Sequence, residues 1–270
     1  MPFSRGIAWL LQSLSLMRLQ SGRLLLIAVI MQLILGLTQV PIIGLLVIIS
    51  VPGLSAGILE AFDVTRRGGH PGLNLLFKPL LSRAHTGRLF MMGALVFVVG
   101  VLSISLMLSG SEELLDPDLM SRIEQGDVDA ISQLDQEALS KMVMAFLLGI
   151  SISGTLSYFT IPLIWFRNHK LGAALAEGIR ALVTHWRAFV MLALGLFVAL
   201  IPVAVVTGFL FQLASGGGLL SVIVMAVVMI LLLAFQMLLF GTQYCAFRDI
   251  FGIDSPAGPP INDDDSQLVA

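Results

Sequence analysis

The side chains that could do chemistry are few, and they gather near one end of each apolar run. His70, His85, His169 and His185 all lie between such runs. Neutral imidazoles from neighbouring helices can share a metal, but neither pair has ligand spacing and no second cysteine or His-Glu-x-x-His pattern supports them. No metal site is expected. Glu60 and Asp63 stand close to Arg66 and Arg67, which reads as a surface ion-pair cluster, with a coupled proton site as the sharper alternative. Serines are numerous, yet none sits in a Gly-x-Ser-x-Gly elbow and no glycine-rich phosphate loop is present. No catalytic residue, cofactor or enzymatic activity is therefore expected. Asp127 and Asp129 lack the further ligands and the glycine of a calcium loop and read as part of a solvated acidic cap. Cys245 is the one cysteine, so it forms no intramolecular disulfide and reads as a small inert hydrophobe.

One pattern does recur. Arg18-Leu-Gln-Ser21-Gly22-Arg23-Leu24 and Arg83-Ala-His-Thr86-Gly87-Arg88-Leu89 share Arg-x-x-[Ser/Thr]-Gly-Arg-Leu. Each follows an amphipathic stretch and opens an uncharged run. An arginine near an anionic surface gains on the order of 1 kcal/mol. A glycine lets the chain turn from a flat helix into a span, and the neighbouring hydroxyl can cap the exposed N–H groups, where a phosphate could also bind. Arg18, Ser21, Gly22, Arg23, Arg83, Thr86, Gly87, Arg88 and Arg187 are expected to contact lipid headgroups, in one collar with Arg66, Arg67 and Lys78. The plainer reading of these cations is that they only determine topology.

The elements that position these residues follow from composition. With 57% hydrophobic and 12% charged residues and a mean hydropathy of +0.96, the chain lies far from the roughly 25% charged of soluble domains. It reads as an all-α integral membrane protein. The basic residues are dispersed at span ends, which sets nucleic acid aside as a partner. A helix crossing ~30 Å of hydrocarbon needs ~20 apolar residues, and six such runs are expected, at about 24–40, 42–62, 89–108, 142–166, 189–213 and 219–240. Thr38-Gln-Val-Pro41 breaks the first long run in two, and Ser215-Gly-Gly-Gly218 turns between the last two spans. No cleaved signal peptide is expected.

Before three of the spans lies an amphipathic stretch expected to lie flat at the membrane surface. Their apolar faces are Ile7, Leu10, Leu11, Leu14 and Met17; then Leu73, Leu76, Phe77, Leu80, Leu81 and Ala84; then Leu171, Leu175, Ile179, Leu182 and Trp186. The whole reads as three helix-plus-hairpin repeats, 2–62, 70–166 and 170–251, packed about a quasi-threefold axis in one transmembrane domain, 1–251. Residues 252–270, with Asp263-Asp264-Asp265, read as a disordered acidic tail.

Within the spans no ionisable group is expected. Gln32, Gln212 and Gln236 read as hydrogen-bonding glue between helices, and Gly53-Leu-Ser-Ala-Gly57 as a close-packing motif used inside the bundle. Pro52 and Pro162 are expected to kink their helices. All of the fifteen basic residues except Arg122 and Lys141 lie on one side, whereas the loop 109–141 holds nine carboxylates. Short basic loops stay in the cytoplasm, so both termini are expected there and the acidic loop outside, in a bacterial inner membrane.

The opening Gly6-Ile-Ala-Trp-Leu-Leu11, the Arg18-x-x-Ser-Gly-Arg23 junction and the ending Tyr244-Cys-Ala-Phe-Arg-Asp-Ile-Phe251 together resemble a family of uncharacterised bacterial inner-membrane proteins with six predicted spans. More faintly, the chain looks like the membrane domain beside some glycerophosphodiester phosphodiesterases, though without a soluble catalytic domain. The resemblance implies architecture and assigns no activity. The function expected is non-enzymatic sensing, organising or scaffolding, with membrane lipids and a protein at the cytoplasmic face as partners. The alternative is a transporter or permease for an apolar or amphiphilic solute, with its path between the kinked second and fourth spans.

Overall fold

The computed structural model describes residues 3–108, 121–122, 136–214 and 218–252. Most of the acidic loop 109–141, most of the turn at 215–218 and the tail beyond Gly252 lie outside the described residues. Among those described, the chain forms nine α-helices and one 3-10 turn. They are α1 (Ser4–Leu19), α2 (Ser21–Gly36), α3 (Pro41–Arg66), α4 (Asn74–Leu81), α5 (Thr86–Leu108), α6 (Gln136–Arg167), α7 (Leu171–Thr184), α8 (Trp186–Ala214) and α9 (Gly218–Phe251). Six of them, α2, α3, α5, α6, α8 and α9, are long and apolar enough to cross a membrane, and the chain is a multi-pass membrane protein. The break at Thr38 is physical. The 3-10 turn Leu37–Gln39 ends at Val40, whose ψ of 116° is the extended backbone that a following proline imposes, and Pro41 starts α3 at the position where its missing N–H costs nothing.

The long helices α3, α6 and α9 touch one another, and each carries one short helix: α4 rests on α3, α7 on α6, and α1 on α9 and α8. Where they meet, Trp9, Phe62, Phe159, Tyr244 and Phe247 are fully buried. Phe247 stacks on Phe166 at 5.8 Å, and Phe62 on Tyr244 at 6.4 Å.

Three helices run past the span ends expected from hydropathy. α3 continues to Arg66, α6 to Arg167, and α9 reaches Phe251, well beyond 240. The extension of α9 carries Tyr244, Cys245, Ala246 and Phe247, all buried against protein, so it is held by packing rather than by lipid. All three helices stop at a residue in the left-handed region: Gly68 (φ +77°), Asn168 (φ +54°) and Gly252 (φ +61°), the usual device for ending a helix.

Two of the short helices bury stripes of mostly small residues against the bundle and leave large apolar residues outward. α1 buries Gly6, Trp9, Ser13 and Leu16, and α7 buries Ala174, Gly178 and Ala181. Leu11, Leu14, Phe77, Leu81, Ile179 and Trp186 instead remain exposed. Small residues let backbones approach, and between helices in lipid that closeness is what attracts. α4 is also shorter than expected, because Pro71-Gly72 precedes it and Ser82, with ψ of 105°, leaves the helical region.

Candidate functional site

The polar groups converge where α3, α6 and α9 end. Asp63, only 3% exposed, accepts from the Tyr244 hydroxyl at 2.6 Å, from Arg66 Nη2 at 3.2 Å and from Arg67 Nη2 at 2.5 Å. Arg66 Nε also donates to the Tyr244 oxygen at 2.8 Å. A buried carboxylate persists only when it is paired and its lone pairs are filled, which is the case here. One turn earlier, Glu60 accepts from Trp165 Nε1 at 2.9 Å and from Lys78 Nζ at 2.6 Å. Asp249 accepts from Trp9 Nε1 at 2.8 Å and faces Arg5 at 3.4 Å. Three carboxylates thus tie α3 to α9, α3 to α4 and α6, and α9 to α1.

The sequence pointed to Glu60, Asp63, Arg66 and Arg67 as an exposed cluster, and burial of Asp63 corrects that. Tyr244 and Trp165 were missed as its completing partners, and Trp9 as the partner of Asp249. All are aromatic residues with a polar tip, the type that pairs one wet and one dry surface. A further stitch was also missed. Pro162 has no N–H for the carbonyl of Tyr158 four residues back, and Gln243 Nε2 donates to that oxygen at 2.6 Å.

The expected headgroup residues divide into two groups. Arg18, Ser21, Gly22 and Arg23 are exposed at the α1–α2 junction, and no side chain caps the first turn of α2. Arg83 is exposed after α4. The second junction is occupied by the protein itself. Thr86 Oγ1 lies 2.7 Å from the Ser82 carbonyl and 3.0 Å from that of Leu80, so its hydroxyl serves the last carbonyls of α4 instead of capping α5. Arg88 Nη1 donates to the Asn168 carbonyl at 2.8 Å, its side-chain oxygen at 2.6 Å and the His169 carbonyl at 3.2 Å. The left-handed turn at Asn168 is what presents these acceptors. Gly87 meets nothing within 4 Å. Arg187 lies over the rings of Phe3 (5.9 Å) and Trp186 (5.7 Å).

Gly53 and Gly57 pack inside the bundle. A Cβ on Gly57 would stand 2.5 Å from the Leu76 carbonyl oxygen, and one on Gly53 would strike the Leu80 side chain. Their role is to seat α4.

Three of the histidines face separate neighbours. His70 Nδ1 is 3.0 Å from Gln20 Nε2, His169 Nδ1 is 3.1 Å from Glu177, and His85 Nδ1 is 2.8 Å from Ser82 Oγ. Burial, and after it the charge of Arg88, holds the His85 imidazole below its ordinary pKa, and burial lowers His185 likewise. Among the described residues no three of His, Cys, Asp and Glu gather as metal ligands would.

No family model, curated protein or solved structure matches the chain. Of the ending motif's residues, Tyr244, Phe247 and Asp249 are the ones that bond or pack into the helix-end core.

Proposed function

We propose that this chain is a non-enzymatic organising, sensing or scaffolding component of a bacterial inner membrane, with both termini cytoplasmic and a collar of cations on anionic lipid headgroups. We read the architecture as three helix-plus-hairpin repeats closed into a ring, each short helix resting on the last helix of the preceding repeat. The cyclic pairing of α4 with α3, α7 with α6 and α1 with α9 supports this, as do the three left-handed caps.

The observation that carries the lipid reading is the state of the cations around the short helices. Arg18, Arg23, Arg83 and Arg180 are exposed and face no carboxylate among the described residues, while the outward faces of α1, α4 and α7 are apolar. Cations beside an exposed apolar stripe suit a surface where charge and hydrocarbon meet. Removing three of these charges together (Arg23→Gln, Arg83→Gln, Arg180→Gln) is expected to reduce the anionic phospholipid that co-purifies in mild detergent, measured by native mass spectrometry. Unchanged retention overturns the collar.

A second reading has one observation in its favour. A groove of about 310 Å³ between α3, α5 and α6, lined by Ile48, Val96, Gly149 and Ser153, suits the path of a permease for an apolar or amphiphilic solute. Solute-dependent flux in reconstituted vesicles separates the two.

A further inference from the structure

The three junctions between a short helix and the span that follows are not equivalent. At α5 the threonine and arginine are engaged by the protein, and at α8 Arg187 lies on two aromatic rings. At α2 the arginines and the hydroxyl have no protein partner among the described residues. Beside that open junction runs a groove of about 310 Å³ between α1, α2 and α9. Leu14, Met17, Leu25 and Met237 form its apolar walls, and Arg18 and Ser21 also line it.

We infer that this groove is a specific site for one anionic glycerophospholipid, with part of an acyl chain between α1, α2 and α9 and the headgroup phosphate on Arg18 and Ser21. The inference rests on the collar reading and goes beyond it, since a collar needs only diffuse charge whereas this groove selects one molecule. The chemistry is complementary at both ends. A guanidinium presents a fork of donors that matches phosphate oxygens, and a hydroxyl adds one more donor. The walls offer only hydrocarbon and thioether. The volume is at the low end of the roughly 300–1,000 Å³ of small-molecule pockets, room for a length of one chain and not for a whole lipid. The remainder of the lipid stays in the bilayer, as it would for a molecule that enters sideways from its own leaflet. A water-soluble phosphate would leave the apolar walls unmatched, and a zwitterionic lipid would place a second cation beside Arg18.

The test uses the full chain in mild detergent, titrated with dioleoylphosphatidylglycerol or dioleoylphosphatidylcholine and followed by native mass spectrometry. One phosphatidylglycerol is expected to bind more tightly than the rest. Arg18→Gln weakens that site about fivefold, the effect of one cation near an anionic surface. Ser21→Ala weakens it less, and Leu25→Trp, which fills the groove, abolishes it. Arg248→Gln, an equal loss of charge on the exposed face of α9, leaves it unchanged. Arg18 is exposed, so its substitution reports on binding even where the tryptophan variant fails to fold. Equal weakening by Arg248→Gln, equal affinity for phosphatidylcholine, or displacement by inorganic phosphate overturns the site and leaves the collar standing. If neither these variants nor the triple collar variant alters lipid binding, both fall.

Discussion

Along α3, every residue from 52 to 59 is buried, whereas on the other side of Pro52 the side chains of Ile42, Ile43 and Leu46 are 81%, 45% and 57% exposed. The same contrast holds in α9, where Tyr244 to Phe247 are buried while Val222, Ile223 and Ile230 are exposed. One helix is thus built by two rules. At the end where α1, α4 and α7 gather, aromatic rings interlock and carboxylates are fully bonded, much as in the core of a soluble protein. At the other end, β-branched and leucine side chains face outward into a medium as apolar as themselves, so burying them in protein gains little. Specificity of the fold resides in the first region, and the second mainly needs length and hydropathy.

Truncating one ring in each region breaks the comparison most directly. Phe247→Ala removes a fully buried side chain and is expected to lower stability by ~3–5 kcal/mol. Phe209→Ala, at a residue 62% exposed, is expected to change it by less than ~0.5 kcal/mol. Unfolding titrated with dodecyl sulfate in mixed micelles measures both, and equal losses would mean that the outer halves are packed as tightly as the inner. A smaller effect comes from adding volume. Gly57→Val sets a side chain against the Leu76 backbone and should cost ~1–3 kcal/mol, whereas Gly208→Val, with nothing within 4 Å, should be near neutral.

The smallest effect sharpens the contrast by pH. The His85 imidazole sits below its ordinary value of 6.5 in the folded protein, so on acidification the unfolded chain takes up the proton first. Stability is then level above about pH 6.5 and falls as pH drops from there through the folded value. His185 adds to the same slope. The unfolding midpoint should be lower at pH 5.5 than at pH 7.5, and less so in His85→Gln. An unchanged slope in that variant would show that the turn after α4 does not carry it.

Much of the architecture was legible because hydrocarbon thickness imposes a length on every span and proline imposes a break, as at Val40 and Pro41. The collar residues at Ser21 and Thr86 were legible as a repeat, but not their divergence. Whether a hydroxyl faces outward or toward Ser82 depends on where the preceding helix stops, and nothing within the motif fixes that. The stripes that α1 and α7 bury were not legible for a related reason. Amphipathic periodicity marks the largest apolar side chains, while Gly6, Ala174 and Gly178 are selected by backbone proximity, which carries no hydrophobic signal. Tyr244 and Trp165 were invisible as partners of Asp63 and Glu60 because pairing across more than a hundred residues is set by how α3, α6 and α9 pack, not by local pattern.

The hydrogen bond between Trp9 and Asp249 spans 240 residues. During synthesis at roughly 5–20 residues per second, α1 is made first and waits about 10–50 s before α9 exists to receive it. Until then α1 has only Ala188, Phe189 and Leu192 of α8 to pack on, through Gly6 and Trp9, so the first helix to leave the ribosome is seated by the last two. A chain interrupted before Asp249 leaves the Trp9 indole N–H without its acceptor.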